Sequence, residues 1–289
     1  MPNAGYPEVR QAIAEKVSRE QCVEIDGSCI VMSCGAAGGL NTVFKSILNP
    51  GDEVIVSKPY FMEYRPYVAN HGGKIVEVDT LPGFNLDVEG IKAKLNAKTA
   101  AVLINSPNNP TGKIYPAETI RLLAVALEEH GANCGRYPYL VSDEPYREIT
   151  YDKAAVPPVL PAYRESIVVS SYSKSLSLPG ERIGFVAAGP EVGGKDDLMN
   201  ALIYATRILG FVSAPALMQR IVAELVFSRV DIEVYSERRA AFMTILDRAG
   251  ISYAKPEGAF YLFAKSPKST QAKLQATWLL SIALKKTLS

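Results

Sequence analysis

Six polar side chains fall where the chain leaves or re-enters an apolar run, and together they could act on one small ligand. The amide Asn109 lies in an Asn-Asn-Pro-Thr-Gly turn directly after the run 101–105. The acid Asp143 and the phenol Tyr146 follow the run 139–142, and the hydroxyl Ser171 and the amine Lys174 follow 167–170. The guanidinium of Arg182 stands just before the run 183–188. Upstream, the run 29–32 opens into a Gly/Ala-rich turn at 35–39, where a helical pattern begins and its free N–H groups can bind an anion. This set fits a pyridine ring that carries an aldehyde and a phosphate. A lysine amine can hold the aldehyde covalently. A carboxylate can keep the ring nitrogen protonated and so make the ring an electron sink. A phenol and an amide can bond the ring's oxygen, while arginine, a hydroxyl and helix N–H groups hold the phosphate.

Each of these residues alone has an ordinary explanation. Lys174 after a strand reads as a solvated lysine, Asp143 as a helix cap, Arg182 as a surface ion-pair partner, and the Asn109 segment as a plain turn. Their joint placement depends on the elements around them. Val9, Ile13 and Val17 repeat at helical spacing within 7–20. A strand at 29–32 leads to a helix marked by Leu40, Val43, Phe44, Ile47 and Leu48, which Asn49-Pro50-Gly51-Asp52 ends. Strands are expected at 53–57, 74–78, 101–105, 139–142, 167–170, 183–188 and 259–264. Helices are expected at 60–70, 87–95, 196–208, 216–227 and 231–249, and at 116–130 with proline in its first turn. Strands separated by helices imply an α/β fold with a mostly parallel sheet flanked by helices. In such sheets ligands bind beyond the carboxyl ends of the strands, which is where Asn109, Asp143, Tyr146, Ser171 and Lys174 fall, while Arg182 precedes its run. The tail 268–289 reads as a basic amphipathic helix around Leu274, Trp278 and Ile282.

Composition narrows the alternatives. Lys plus Arg is 31 and Asp plus Glu is 30, so no bulk field favours nucleic acid or an anionic membrane. No apolar run approaches the roughly 18 residues of a membrane span, and the start carries no signal-peptide pattern. Four cysteines, at 22, 29, 34 and 134, form no C-x-x-C, and only His71 and His130 are present, so no metal site is expected. The cysteines read as reduced thiols of a cytoplasmic protein. With so few histidines, catalysis needs another base. The segment 35–39 is not G-x-G-x-x-G and no ribose-binding acid is evident, which counts against a nicotinamide cofactor.

Three segments carry a family resemblance. They are Asn105-Ser106-Pro107-Asn108-Asn109-Pro110-Thr111-Gly112, Ser142-Asp143-Glu144-Pro145-Tyr146, and Ser171-Tyr172-Ser173-Lys174 running on to Pro179-Gly180-Glu181-Arg182-Ile183-Gly184. In this order and spacing the chain resembles the class I/II aminotransferases, fold type I enzymes that use pyridoxal 5′-phosphate. The resemblance implies that Lys174 binds the cofactor covalently and later moves a proton between substrate and cofactor. It pairs Asp143 with the ring nitrogen and sets Tyr146 and Asn109 on the ring oxygen. Ser171, Arg182 and the backbone N–H groups of Ala36 and Ala37 would bind the phosphate. Phe61 takes the place of the aromatic that stacks on the ring, with Tyr60 as its competitor. Lys174, Asp143 and Tyr146 are the implied catalytic residues. The implied substrates are an amino acid and a 2-oxo acid, and the implied assembly is a homodimer.

The resemblance also sets the expected domains: an N-terminal segment at 1–27, a large cofactor-binding domain at 28–229, and a partial small α/β domain at 230–289. Two departures stand out. The family's tyrosine that reaches the partner subunit's phosphate would fall before Met1. The arginine that grips the substrate carboxylate comes after the segment Gly258-Ala259-Phe260-Tyr261 in the family, whereas the last arginine here is Arg248. A chain shortened or frameshifted at its ends, and poor in turnover, is the resulting expectation. A carbon–sulfur lyase, other α-carbon chemistry on the same scaffold, and an inactive cofactor-binding fragment are the alternatives to amino-group transfer.

Overall fold

The computed structural model describes residues 2–266 and the backbone of 278–281. Seven strands form the main sheet: β1 (Ile30–Ser33), β2 (Glu53–Lys58), β3 (Lys74–Asp79), β4 (Thr99–Asn105), β5 (Tyr139–Asp143), β6 (Ser166–Ser171) and β7 (Gly184–Ala188). Their spatial order is β1-β7-β6-β5-β4-β2-β3. The run from β3 to β6 is parallel, and β7 alone is reversed, antiparallel to both β6 and β1. The expected α/β architecture is therefore present.

The near-continuous apolar character of the strands follows from burial on both faces. On β2 and β4, Ile55, Val102 and Ile104 point to one core. Val54, Val56, Ala101 and Leu103 point to the other. The first core is covered by α1 (Pro7–Gln21), α4 (Val88–Lys92), α5 (Ala117–Cys134) and α8 (Ala216–Glu224), through residues such as Ile13, Val17, Ile91, Leu123 and Val222. The second is covered by α2 (Gly35–Ile47), α3 (Tyr64–Ala69) and α7 (Lys195–Ile208), through Val43, Phe44, Tyr64, Val68 and Leu202. A further one-turn helix, α6 (Tyr172–Ser175), follows β6.

A second sheet lies after α9 (Ile232–Arg248), in the antiparallel order β10-β9-β8. Its strands are β8 (Tyr253–Ala254), β9 (Phe263–Lys265) and β10 (Trp278–Ser281). Leu246 of α9 packs with Leu262 and Ala264. Three expectations need correction. The helix expected at 60–70 begins only at Tyr64, because the chain after Pro59 turns before it coils. The strand expected at 259–264 begins at Phe263, since Ala259 adopts a left-handed φ of 58° that no strand tolerates. Within the tail expected to be helical, Trp278–Ser281 pairs with β9 as a strand. The rest of 268–289 lies outside the described residues.

Candidate active site

Strand register decides which loop residues meet. Asn105 at the end of β4 sits opposite Asp143 at the end of β5, and Ser171 at the end of β6 sits opposite Gly184 at the start of β7. Along this edge opens a cavity of about 270 Å³. All nine expected site residues line it: Ala36, Ala37, Phe61, Asn109, Asp143, Tyr146, Ser171, Lys174 and Arg182. Asn105 staples two of the loops together. Its side-chain N–H donates to the Asp143 carbonyl at 2.8 Å, and its Oδ1 accepts the Asn109 N–H at 2.6 Å.

One end of the cavity is built for an anion. The N-terminus of α2 begins at Gly35, whose φ is +70°. A Cβ on Gly35 would stand 2.7 Å from Arg182 Nη2, so the guanidinium lies directly against this helix start. Gly184 permits the same crowding: a Cβ there would meet the Ser170 carbonyl at 2.5 Å and Gly35 at 2.9 Å. Arg182 itself holds a left-handed φ of 50° and donates from Nη1 to the Pro179 carbonyl at 2.9 Å. The start of α2, the guanidinium and Ser171 thus line one cavity, a set of groups suited to a phosphate.

The other end carries acid and amine. Asp143 is 5% exposed. Its Oδ2 accepts a hydrogen bond from Tyr64 Oη at 2.6 Å, while its buried Oδ1 has no partner among the described residues. Burial pushes the Asp143 carboxyl up to about 7; the neighbouring Glu144 charge adds to this and the Tyr64 bond opposes it. An orphaned carboxylate oxygen in such a place calls for a cationic N–H, and a protonated pyridine nitrogen meets that need. Burial likewise pushes the Lys174 amine below its ordinary value, and the charge of Arg182 pushes it the same way. Such a lysine is a better nucleophile at neutral pH than a solvated one. Its Nζ lies 5.2 Å from the Phe260 ring centre and 6.0 Å from that of Tyr146.

Comparison with known proteins decides the family. The family model "Aminotransferase class I and II" matches residues 1–284. The chain belongs to the class I and II aminotransferases. It is 36% identical to a probable aspartate/prephenate aminotransferase of Thermus aquaticus over 98% of this chain and 73% of that protein. It is 32% identical to the aspartate aminotransferase of Bacillus subtilis over 94% of this chain and 69% of that protein. Among solved structures, an aminotransferase from Eubacterium rectale superposes with a TM-score of 0.89 at 40% identity, covering 92% of this chain and 67% of that one. The chain is accordingly an enzyme of amino-group transfer, from a family that uses pyridoxal 5′-phosphate.

The geometry of this aminotransferase separates Phe61 from Tyr60. Phe61 lines the cavity and meets Tyr64 edge-on at 5.6 Å. Tyr60 turns away, donating from its hydroxyl to Glu77 at 2.6 Å. Three further aromatic residues, Tyr64, Tyr67 and Tyr261, line the cavity without a signal in the sequence. Tyr64 reads there only as part of a helix, and its apolar neighbours Val68 and Phe44 give no hint that its hydroxyl reaches Asp143. Tyr261 reads only as a strand residue, yet its hydroxyl lies 2.5 Å from that of Tyr146 and accepts from Asn109 Nδ2 at 3.4 Å. Tyr146 is buried and its phenol is pushed well up by that burial. Tyr261 is delivered by a loop that docks on the Asn109 turn. Glu257 and Gly258 both donate N–H groups to the Gly112 carbonyl at 2.9 Å, and the Glu257 carboxylate holds Lys113 at 2.7 Å. Among the described residues, no three His, Cys, Asp or Glu side chains group as a metal site, and no helix is long and apolar enough to cross a membrane.

Proposed function

We propose that this chain exchanges an amino group between an amino acid and a 2-oxo acid, using pyridoxal 5′-phosphate held through Lys174. One observation carries the reading. A buried, unpartnered carboxylate oxygen on Asp143 shares a cavity with a lysine whose amine is held below its ordinary proton affinity. When bound, the cofactor supplies an electrophilic aldehyde carbon and an electron-withdrawing ring.

The chain's own groups do the rest. Asp143 Oδ1 keeps a proton on the ring nitrogen. Arg182, Ser171 and the N–H groups of Ala36 and Ala37 hold the phosphate. Tyr146 and Asn109 bond the ring oxygen, and Phe61 covers the ring face. Lys174 takes the proton from the substrate Cα and returns one to the product. Its depression below ordinary lysine proton affinity suits an acid–base role near neutral pH. Residues 28–229 form the cofactor-holding unit in this reading, preceded by the segment 1–27 and followed at 230–289 by part of a smaller one. The enzyme works as a homodimer in the cytoplasm. Relatives named as aspartate aminotransferases, and a Thermus thermophilus aspartate aminotransferase solved with maleate, make aspartate the first donor to try.

The test mixes purified protein, pyridoxal phosphate and single amino acids. A 2-oxo acid appearing with conversion of the cofactor to its amine form supports transfer. Ammonia plus pyruvate would mean a lyase instead. A cofactor spectrum that ignores every amino acid would mean a binding protein without turnover.

A further inference from the structure

Beneath the cofactor cavity lies a second, much smaller chamber of about 10 Å³. Its walls include Lys16 and Glu20 of α1, Glu148 from the loop after β5, Ser170 of β6, and Tyr172 and Ser175 of α6. Tyr172 is 2% exposed, and its hydroxyl has no hydrogen-bond partner among the described residues. The ring is wedged in the core, 6.1 Å from Phe185. Its backbone is pinned as well, with the Tyr172 N–H donating to the Ile183 carbonyl at 3.1 Å. The hydroxyl therefore cannot swing out to solvent. It does sense Glu20 and Glu148, whose charges add to burial in pushing the phenol upward.

We propose that this chamber binds one water molecule that joins the Tyr172 hydroxyl to the Lys16–Glu20–Glu148 cluster. A buried hydroxyl without a partner is rare, because desolvation is then uncompensated. The space suits a single water and no larger ligand, and polar groups on several sides can satisfy it. A metal cation fits poorly. The Lys16 ammonium already sits 2.8 Å from Glu20 and 2.5 Å from Glu148, and takes the charge that would attract one. Ser170 has spent its hydroxyl proton on the Glu144 carbonyl at 3.1 Å, which leaves its oxygen free to accept. Water can donate to a carboxylate or to Ser170 and exchange a bond with Tyr172. In doing so it ties α6, the turn that bears Lys174, to helix α1.

A double-mutant cycle tests this on the purified chain. Tyr172→Phe and Glu148→Gln should each lower Tm by roughly 2–4 °C, and the double variant should lose less than the sum, since both act on one bridge. Strict additivity, or a Tyr172→Phe variant as stable as the parent, overturns the proposal. A crystal structure gives an independent check that survives poor folding of any variant. Density for one water at about 2.7–2.8 Å from Tyr172 Oη supports it. An empty chamber, or a peak with the short multiple oxygen contacts of a metal ion, overturns it.

Discussion

Tyr64 Oη donates to Asp143 Oδ2 at 2.6 Å, from a helix on one face of the sheet to the end of a central strand. The bond occupies one carboxylate oxygen and leaves Oδ1 for a ligand. It also opposes the burial that raises the Asp143 carboxyl. Removing it with Tyr64→Phe should raise the carboxyl further and weaken cofactor binding about tenfold, the worth of a hydrogen bond to a charged group. Titrating pyridoxal phosphate at several pH values checks this. Unchanged affinity, with an unchanged pH midpoint, would mean the hydroxyl is only filling space.

The raised Asp143 carboxyl predicts how the cofactor-free protein responds to pH. Between the ordinary aspartate value of 3.8 and about 7, the folded chain keeps a proton that the unfolded chain has released. Stability must then fall as pH rises through that window, by roughly 1.4 kcal/mol for each pH unit crossed. Asp143→Asn removes the effect. Denaturant melts of the two proteins at pH values near the two ends of the window should show the variant gaining on the parent as pH rises. Parallel pH profiles would contradict this.

Gly35 and Arg182 predict a phosphate-specific defect. Gly35→Ala places a methyl group 2.7 Å from Arg182 Nη2, at a φ that alanine rarely adopts. The guanidinium must move, so affinity for pyridoxal phosphate should fall while affinity for pyridoxal, which lacks the phosphate, changes little. Arg182→Lys should show the same split, because an ammonium cannot reproduce a guanidinium fork. Equal losses for both ligands would assign these residues to folding instead.

Lys174→Ala should abolish the long-wavelength absorbance of the lysine-linked cofactor and leave borohydride with no site to label. Peptide mapping of the reduced parent protein should recover the label on Lys174. A label on another lysine in the Ala variant would move the covalent link elsewhere.

How much of this is legible in the chain can be argued residue by residue. Asn109, Asp143, Ser171 and Lys174 can be read because each follows an apolar run, and parallel sheets gather such ends on one edge. Arg182 is readable as a polar group before a run, but the reversal of β7 is not, since an apolar run looks the same in either direction. Tyr64 is hidden for a different reason. Its partner comes from β5, and only the strand order, with β2 placed next to β4, brings α3 over that strand's end. Tyr261 depends on the Glu257–Lys113 contact and on the bare Cα of Gly258, where a Cβ would strike Pro107 at 2.6 Å. Neither leaves a periodic trace. The left-handed Ala259 keeps the start of its apolar run out of β9, which begins at Phe263.

The reversal of β7 has a consequence for how the gene can change. Because Ser171 and Gly184 are paired across β6 and β7, the stretch carrying Lys174 and Arg182 is a ring pinned at both ends. The span from amine to guanidinium is then set by the strand pairing and not by the length of chain between them. At Gly180 an added Cβ would meet nothing within 4 Å. A surface loop whose ends are already held together tolerates added residues at small cost. Single-residue insertions beside Gly180 should therefore survive in a mutational library selected for cofactor binding, whereas insertions between Ser171 and Lys174 or between Arg182 and Gly184, which shift the amine or the guanidinium off the pinned ends, should be purged.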